Sequence, residues 1–303
     1  MMLVETHHYG QAAQRLHITQ PALTQSILQL EARVGERLFE RSRRGVALTA
    51  AGAALVEPVC ALLAAAATLP AVAREAAAGH LGRLRLAFVS TIGFGPLPGW
   101  LRGFRQAQQG VSVELIEATA DVQMRAFERA ELDAGFVLHA PDAPPAGLAS
   151  MAVLDEALWL ALPDTHPLAA SARLAPAAVL AEPLVRFPRA IAPSLFDAVL
   201  ALYQRHGLQP IVAQQAIQMQ TIVNLVSAGL GLAWVPATIG ALQRPGVVYR
   251  PAPRALEVRV RTSLVWRTGT PSPALARFIE FVRTHPVPRR AGIARRGENP
   301  TPC

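Results

Sequence analysis

The stretch Ala12-Ala13-Gln14-Arg15-Leu16-His17-Ile18-Thr19-Gln20-Pro21-Ala22-Leu23-Thr24-Gln25 constrains this chain more than any other. It reads as two short helices meeting at a tight turn. Leu23, Ile27, Leu30 and Val34 recur at offsets of four, three and four, which lays an apolar stripe along one side of the second helix. Pro21, Thr24, Gln25, Gln29 and Arg33 then face the other way. Thr19 is a good N-cap, and Pro21 sits just inside the helix start, where its missing N–H costs nothing. Leu38-Phe39-Glu40-Arg41-Ser42-Arg43-Arg44-Gly45 follows as a basic hairpin turned by Gly45. In a helix-turn-helix the first exposed positions of the second helix enter the DNA major groove.

The 303 residues leave about two thirds of the chain for units beyond a small head. A formal charge of +8 suits a polyanion-binding protein, but much of the excess sits in Arg283, Arg289, Arg290, Arg295 and Arg296 near the end. Every basic residue is Arg and none is Lys, a choice that follows composition as readily as function. Cys60 and Cys303 are too few and too separated for a zinc site or a disulfide framework, so a reducing cytoplasm is expected. The start lacks the apolar core of a signal peptide. The longest apolar run, Val59 to Ala73, is interrupted by Pro70 and is shorter than a membrane span, so no membrane partner is expected.

Three parts follow, with a disordered tail at 289–303. Residues 1–48 form the head, and 49–80 form an Ala-rich helix capped by Thr49, ended near Gly79 and bent at Pro58 and Pro70. Residues 81–288 alternate strands and helices, which predicts an α/β unit with parallel-rich sheets. Strands are expected at Leu84–Val89, Val111–Ile116, Ala134–Leu138, Leu158–Leu162, Leu184–Phe187, Leu230–Val235 and Ser263–Trp266. Helices are expected at Pro96–Gln108, Val122–Arg129, Ser194–His206, Gln220–Ala228 and Pro273–Arg283. Ser90 and Thr91 end the first of these strands, at the crevice where such sheets bind ligands.

The opening string, with Leu38, Phe39 and Arg41 and then Leu48, Thr49 and Gly52, resembles the winged helix-turn-helix of LysR-type transcriptional regulators. A looser resemblance covers nearly all the remaining chain. It implies α/β architecture with an N-terminal all-α winged helix-turn-helix head and a two-lobed, periplasmic-binding-protein-like effector domain, the chain crossing between lobes near Leu162–Asp164 and Ser263–Arg267. The implied protein is a cytoplasmic homo-oligomer, a dimer or tetramer joined through the 49–80 helix. It binds an interrupted inverted repeat in double-stranded DNA, takes a small-molecule effector and admits RNA polymerase as a partner. Family members carry a longer first helix ahead of the segment matching Met2–Glu5, so the head is expected to be truncated there or its start misassigned.

Candidate DNA contacts are Thr19, Gln20, Pro21, Thr24, Gln25 and Gln29 on the reading helix, where a Gln amide can bond adenine bidentately. Arg41, Arg43 and Arg44 in the wing can reach phosphates or the minor groove, and Thr49 can offer a hydroxyl to phosphate although capping alone explains it. By resemblance, Ser90, Thr91 and Thr119 line the effector cleft, for which an organic anion is the expected ligand. Gly229 and Gly231 lack the third glycine of a dinucleotide fingerprint. No nucleophile elbow, P-loop or His-Glu-x-x-His is present, so neither an enzyme nor a cofactor or metal is expected. Two other readings stay open: a solute receptor or enzyme on the same two-lobed fold, and a DNA-binding protein whose second domain serves only assembly.

Overall fold

The computed structural model describes residues 1–42 and 45–286. Arg43, Arg44 and the tail at 289–303 lie outside the described residues. The chain divides into two units, Met1–Arg74 and Glu75–Cys303.

The first unit holds α1 (Met2–Thr6), α2 (Tyr9–Arg15), α3 (Gln20–Val34), β1 (Phe39–Ser42), β2 (Gly45–Leu48) and most of α4 (Ala50–Ala77). The head is therefore helical with a two-stranded antiparallel wing, at the place where the basic hairpin was expected. Leu3, Ala12, Ala13 and Leu23 form its small core, flanked by Tyr9, Ile27, Phe39 and Val46. The expected stripe on α3 is only half realised, because Leu30 and Val34 stay 46% and 44% exposed and Leu16 and Ile18 are exposed as well. The core cluster reaches no further along α3 than Ile27, where α2 packs against it and α1 packs against α2 and β2.

Thr49 joins the wing to α4. Its N–H donates to the Leu38 carbonyl and its hydroxyl to the Arg37 carbonyl, while Oγ1 accepts from Gly52 N–H at 3.0 Å. Gly52 is buried against the Leu38 carbonyl, leaving no room for a Cβ. Glu31 caps the start of the wing by accepting the N–H groups of Leu38 and Phe39. Helix α4 runs through Pro58 and Pro70 for 28 residues, within the 49–80 span expected, and by length and composition is enough to cross a membrane, which the apolar run Val59 to Ala73 taken alone was expected not to be.

In the second unit, β3 (Gly82–Phe88), α5 (Ser90–Gly93), α6 (Leu97–Ala107), β4 (Val111–Glu117), α7 (Ala120–Glu128) and β5 (Ala134–His139) build the first lobe. The chain then enters β6 (Leu148–Pro163), a strand of 16 residues. After it come α8 (Pro167–Ala170), α9 (Pro176–Ala181), β7 (Leu184–Arg186), α10 (Pro193–Arg205), β8 (Val212–Gln215), α11 (Met219–Ser227), β9 (Ala233–Pro236) and β10 (Val247–Pro251), which build the second lobe. Finally β11 (Arg259–Arg267) and α12 (Pro273–Thr284) return to the first.

Leu148–Ala157 of β6 pairs with β11, whereas Leu158–Pro163 pairs with β9 and β10. The outward crossing thus lies inside β6 near Ala157 and the return just before Arg259, both earlier than expected. Continuous strand, rather than a loop after it, carries the chain across. Leu158 N–H donates to the Val258 carbonyl at 2.8 Å, so the two crossings are hydrogen-bonded side by side. The expectation of parallel-rich sheets is corrected for the same reason. β3 pairs in parallel with β4 and β5, and β7 with β8, but every ladder of β6 and β11 is antiparallel.

The first-lobe core is Leu84, Leu86, Trp100, Phe104, Phe136 and Phe278 on one sheet face, with Phe127, Leu132 and Val137 on the other. The second-lobe core gathers Leu158, Leu160, Leu162, Leu202, Tyr203 and Trp234. Arg85 and Asp133 brace the first lobe through Nη2–Oδ1 at 3.0 Å and the Arg85 N–H to Oδ2 at 2.8 Å. Partial burial alone would raise the Asp133 pKa, but the hydrogen bonds and charge of Arg85 outweigh it and hold the carboxyl below its ordinary value.

At its end α4 closes with His80 N–H on the Glu75 carbonyl and Gly79 N–H on the Ala76 carbonyl, a Schellman pattern with Gly79 at φ 76°. A Cβ at Gly79 would lie 2.5 Å from the Pro273 carbonyl. Gly79→Ala is therefore expected to destabilise the second unit by more than the roughly 1–2 kcal/mol of a left-handed residue, read from urea denaturation. Because a depressed carboxylate stabilises above its unfolded pKa, Asp133→Asn should cost about 1.5–3 kcal/mol at pH 7. That cost should vanish as pH falls through the folded pKa of Asp133, as acid titration of the two unfolding curves will show.

Candidate nucleic-acid interface and effector cleft

Thr19 caps α3, its hydroxyl oxygen accepting from Ala22 N–H at 3.4 Å, and Pro21 lies in the first turn. Gln20, Pro21, Gln25 and Gln29 are exposed on this helix. Thr24 turns its hydroxyl back to the Gln20 carbonyl at 3.0 Å, so only its lone pairs are free to face outward. Arg41 is exposed on the wing strand β1. Thr49 has committed its hydroxyl as donor to Arg37 and as acceptor to Gly52, which leaves capping as its observed role.

In the second unit, Ser90, Thr91 and Thr119 line one cavity between the lobes, of about 50 Å³. Ser90 and Thr91 follow β3 and Thr119 follows β4, two adjacent parallel strands whose ends point the same way. The other wall comes from the second lobe: Phe187, Ile191, Ala192, Leu195 and Gln218. Sequence reasoning missed this wall, although the signal was available. Ala192 and Gln218 immediately precede α10 and α11, just as Thr119 precedes α7.

Two of the three hydroxyls, those of Thr91 and Thr119, differ in state. Thr91 is 5% exposed and its Oγ1 has no hydrogen-bond partner among the described residues. Thr119 donates to Asp121 Oδ1 at 2.5 Å. Burial works to raise the Asp121 pKa, but the Thr119 hydroxyl and Arg125 prevail and hold it below the ordinary carboxylate value. Gln123, fully buried beneath, donates through Nε2 to the Ala118 and Phe136 carbonyls and so fixes the loop carrying Thr119.

Beside the cleft, His139 Nδ1–H donates to the Ala140 carbonyl, so Nε2 accepts the Ser263 hydroxyl at 2.8 Å. Burial lowers the imidazole pKa and keeps it neutral, as this arrangement requires. The pair has the composition of a nucleophile and base, yet His139 and Ser263 are 4% and 2% exposed and the orienting group is a carbonyl rather than a carboxylate. It is a structural clamp, extended by Ala140 N–H to Ser194 Oγ at the start of α10. Among the described residues no group of three or more His, Cys, Asp and Glu side chains could hold a metal.

The sequence profile of bacterial regulatory helix-turn-helix proteins of the lysR family matches residues 1–53, and that of the LysR substrate binding domain matches residues 77–286. The chain is 42% identical over 283 residues to the regulator IlvR of Caulobacter vibrioides, covering 92% of this chain and 94% of that one. It is 31% identical over 281 residues to XapR of Escherichia coli, covering 92% and 93%. Full-length CbnR complexed with its target DNA superposes with a TM-score of 0.73 at 31% identity, covering 93% of this chain and 96% of that one. The effector binding domain of BenM with benzoate gives 0.56 at 25% identity, covering 67% and 91%. The chain belongs to the LysR family and is a transcriptional regulator, not an enzyme, with a DNA-binding helix-turn-helix head and a two-lobed effector-binding domain.

Proposed function

We propose that this regulator works in the cytoplasm as a two-fold oligomer that reads an interrupted inverted repeat through α3 and alters its hold on DNA when a small organic anion enters the lobe cleft. The observation that carries the sensing part is Thr91: a hydroxyl 5% exposed, without a partner among the described residues, on the wall of an inter-lobe cavity. A buried hydroxyl left unsatisfied costs about 1–3 kcal/mol, which a ligand carboxylate would recover. The N-termini of α7, α10 and α11 flank the same cavity through Thr119, Ala192 and Gln218, and their free N–H groups favour negative charge. BenM, a structural relative, takes benzoate as effector. At about 50 Å³ the cavity has room for little more than water, so a ligand enters as the lobes part and then stabilises the arrangement it fits best.

Helix α4 supports the two-fold assembly. Leu62, Leu63, Leu69 and Val72 are exposed along it amid a run of Ala. Small residues let two helices approach closely, and a palindromic site calls for a two-fold protein.

Screening small carboxylates by thermal shift, benzoate among them, is expected to identify a stabilising ligand. Thr91→Val, which keeps shape and removes the hydroxyl, should then weaken that ligand tenfold or more in calorimetry and leave ligand-free DNA binding unchanged. Wild-type affinity in Thr91→Val would place the sensing site elsewhere. On the DNA side, Gln25→Ala should relax base preference at one or two operator positions. Arg41→Ala should weaken all sequences alike and flatten the slope of log affinity against log salt by about 0.9, the effect of one phosphate no longer neutralised. Binding titrations at several salt concentrations on operator and scrambled duplexes separate the two effects.

A further inference from the structure

The geometry points to a second small-molecule site in the regulatory unit, beside the effector cleft, built for a zwitterion with an apolar body: an amino acid with a large apolar side chain. The site is a cavity of about 880 Å³, far larger than the cleft itself. It lies between α7, the end of β5, the loop at 140–147 and the approach to α10. Pockets of roughly 300–1,000 Å³ are the usual size for small-molecule sites. Only Ala120, Leu138 and Ala192 line both cavities, so the two are neighbours with a thin shared wall.

The floor of this cavity is apolar, supplied by Met124, Phe127, Val137, Leu138 and Leu148. Phe127 and Val137 belong to the core face of the first lobe, so the floor is rigid. Met124 and Phe127 together favour a ring, through thioether and edge contacts. The loop forming one wall carries Pro141, Pro144 and Pro145 within a few residues. It is tied down at its start by Arg261 Nη1 on the Pro141 carbonyl at 2.9 Å and by Ala140 N–H on Ser194 Oγ. A proline-stiffened wall loses little entropy when a ligand arrives.

The charges choose the ligand class. Of the ionisable groups lining the cavity, Asp121 is already held by the Thr119 hydroxyl and by Arg125 at 3.0 Å. His139 has spent both ring nitrogens. That leaves Glu128 and Arg267, both exposed at the rim and neither with an ion-pair partner among the described residues. Asp133 lies near enough to feel Arg267, but its oxygens are engaged by Arg85. One free carboxylate and one free guanidinium above an apolar floor suit an ammonium and a carboxylate on one apolar body. A simple organic acid would meet Glu128 unfavourably, and a simple amine would meet Arg267.

Calorimetry on the full chain with three probes tests this: L-phenylalanine, 2-phenylethylamine, which lacks the carboxylate, and 3-phenylpropionate, which lacks the ammonium. The titrations are run in the natural sequence and with the effector cleft disabled by Thr91→Val, so that an organic acid held in the cleft is not mistaken for this site. Phenylalanine should bind saturably in both, and each one-charge analogue at least tenfold more weakly in the Thr91→Val chain. In that chain Glu128→Gln should erase the advantage over 3-phenylpropionate, and Arg267→Gln the advantage over 2-phenylethylamine. Met124→Trp, which fills the floor, should abolish binding, and Ala146→Trp on the exposed loop does the same without touching the core should the first variant fold poorly. Absence of phenylalanine binding, equal affinity for the three probes, or binding lost in Thr91→Val but kept in both cavity-filling variants would overturn the proposal.

Discussion

The paired crossings of β6 and β11 are the constraint on which the regulatory unit depends. A strand of 16 residues serves two sheets, and the hydrogen bond from Leu158 N–H to the Val258 carbonyl holds the outward and return paths together. The outward path is strand and the return at Glu257–Val258, between a 3-10 turn and β11, is hydrogen-bonded to it, so the lobes are joined by a narrow ribbon, beside which Val89 and Leu138 of the first lobe pack against the second-lobe core. A cleft is the geometric consequence. Strand ends from the first lobe and helix starts from the second converge on it, which places hydroxyls and free N–H groups opposite one another.

Two polar devices then divide the labour around that cleft. Gln123, through its Nε2, and the Ser263–His139–Ala140–Ser194 chain are hydrogen-bonded between elements and hold the walls in place, while Gln123 Oε1 is left without a partner among the described residues. The Thr91 hydroxyl has no partner at all among the described residues. A buried hydroxyl on a cavity wall with no partner among the described residues is the local inconsistency expected where a ligand completes the structure. Glu156, on β6 at the crossing, shows the opposite balance: burial pushes its carboxyl pKa up although Thr238 donates to it through both N–H and hydroxyl. The ribbon therefore carries a carboxylate that is more costly to bury than those at the rims, where Asp155 is neutralised by Arg259 and Arg261.

The head was legible because its signals are local. Thr19, Pro21 and Gly52 declare helix starts and a close approach through their own chemistry, and the structure gives each a specific neighbour. The positions of Ser90, Thr91 and Thr119 were legible for the same reason, as strand-to-helix turns. The first half of β6 and the strands β8 and β10 were not. Leu148–Ala157 is mostly half-buried, with a weak period, and is held in place by β11 more than a hundred residues away. The exposure of Leu30 and Val34 misled for the converse reason: periodicity reports which residues share a face, not whether anything covers it. The second wall of the cleft escaped because Ala192 and Gln218, though each marks a helix start as Thr119 does, are brought opposite Ser90 only by the long-range pairing of the two lobes.

The central claim is that ligand binding in the cleft changes the separation of the lobes about this ribbon. Spin labels at Val122 on α7 and Gln220 on α11, both exposed, report that separation directly by pulsed electron resonance, once Cys60 and Cys303 are replaced by Ser. The stabilising carboxylate should narrow and shorten the distance distribution, and should fail to do so in Thr91→Val. An unchanged distribution in the labelled wild type, under conditions where the same ligand shifts DNA affinity, would contradict the account.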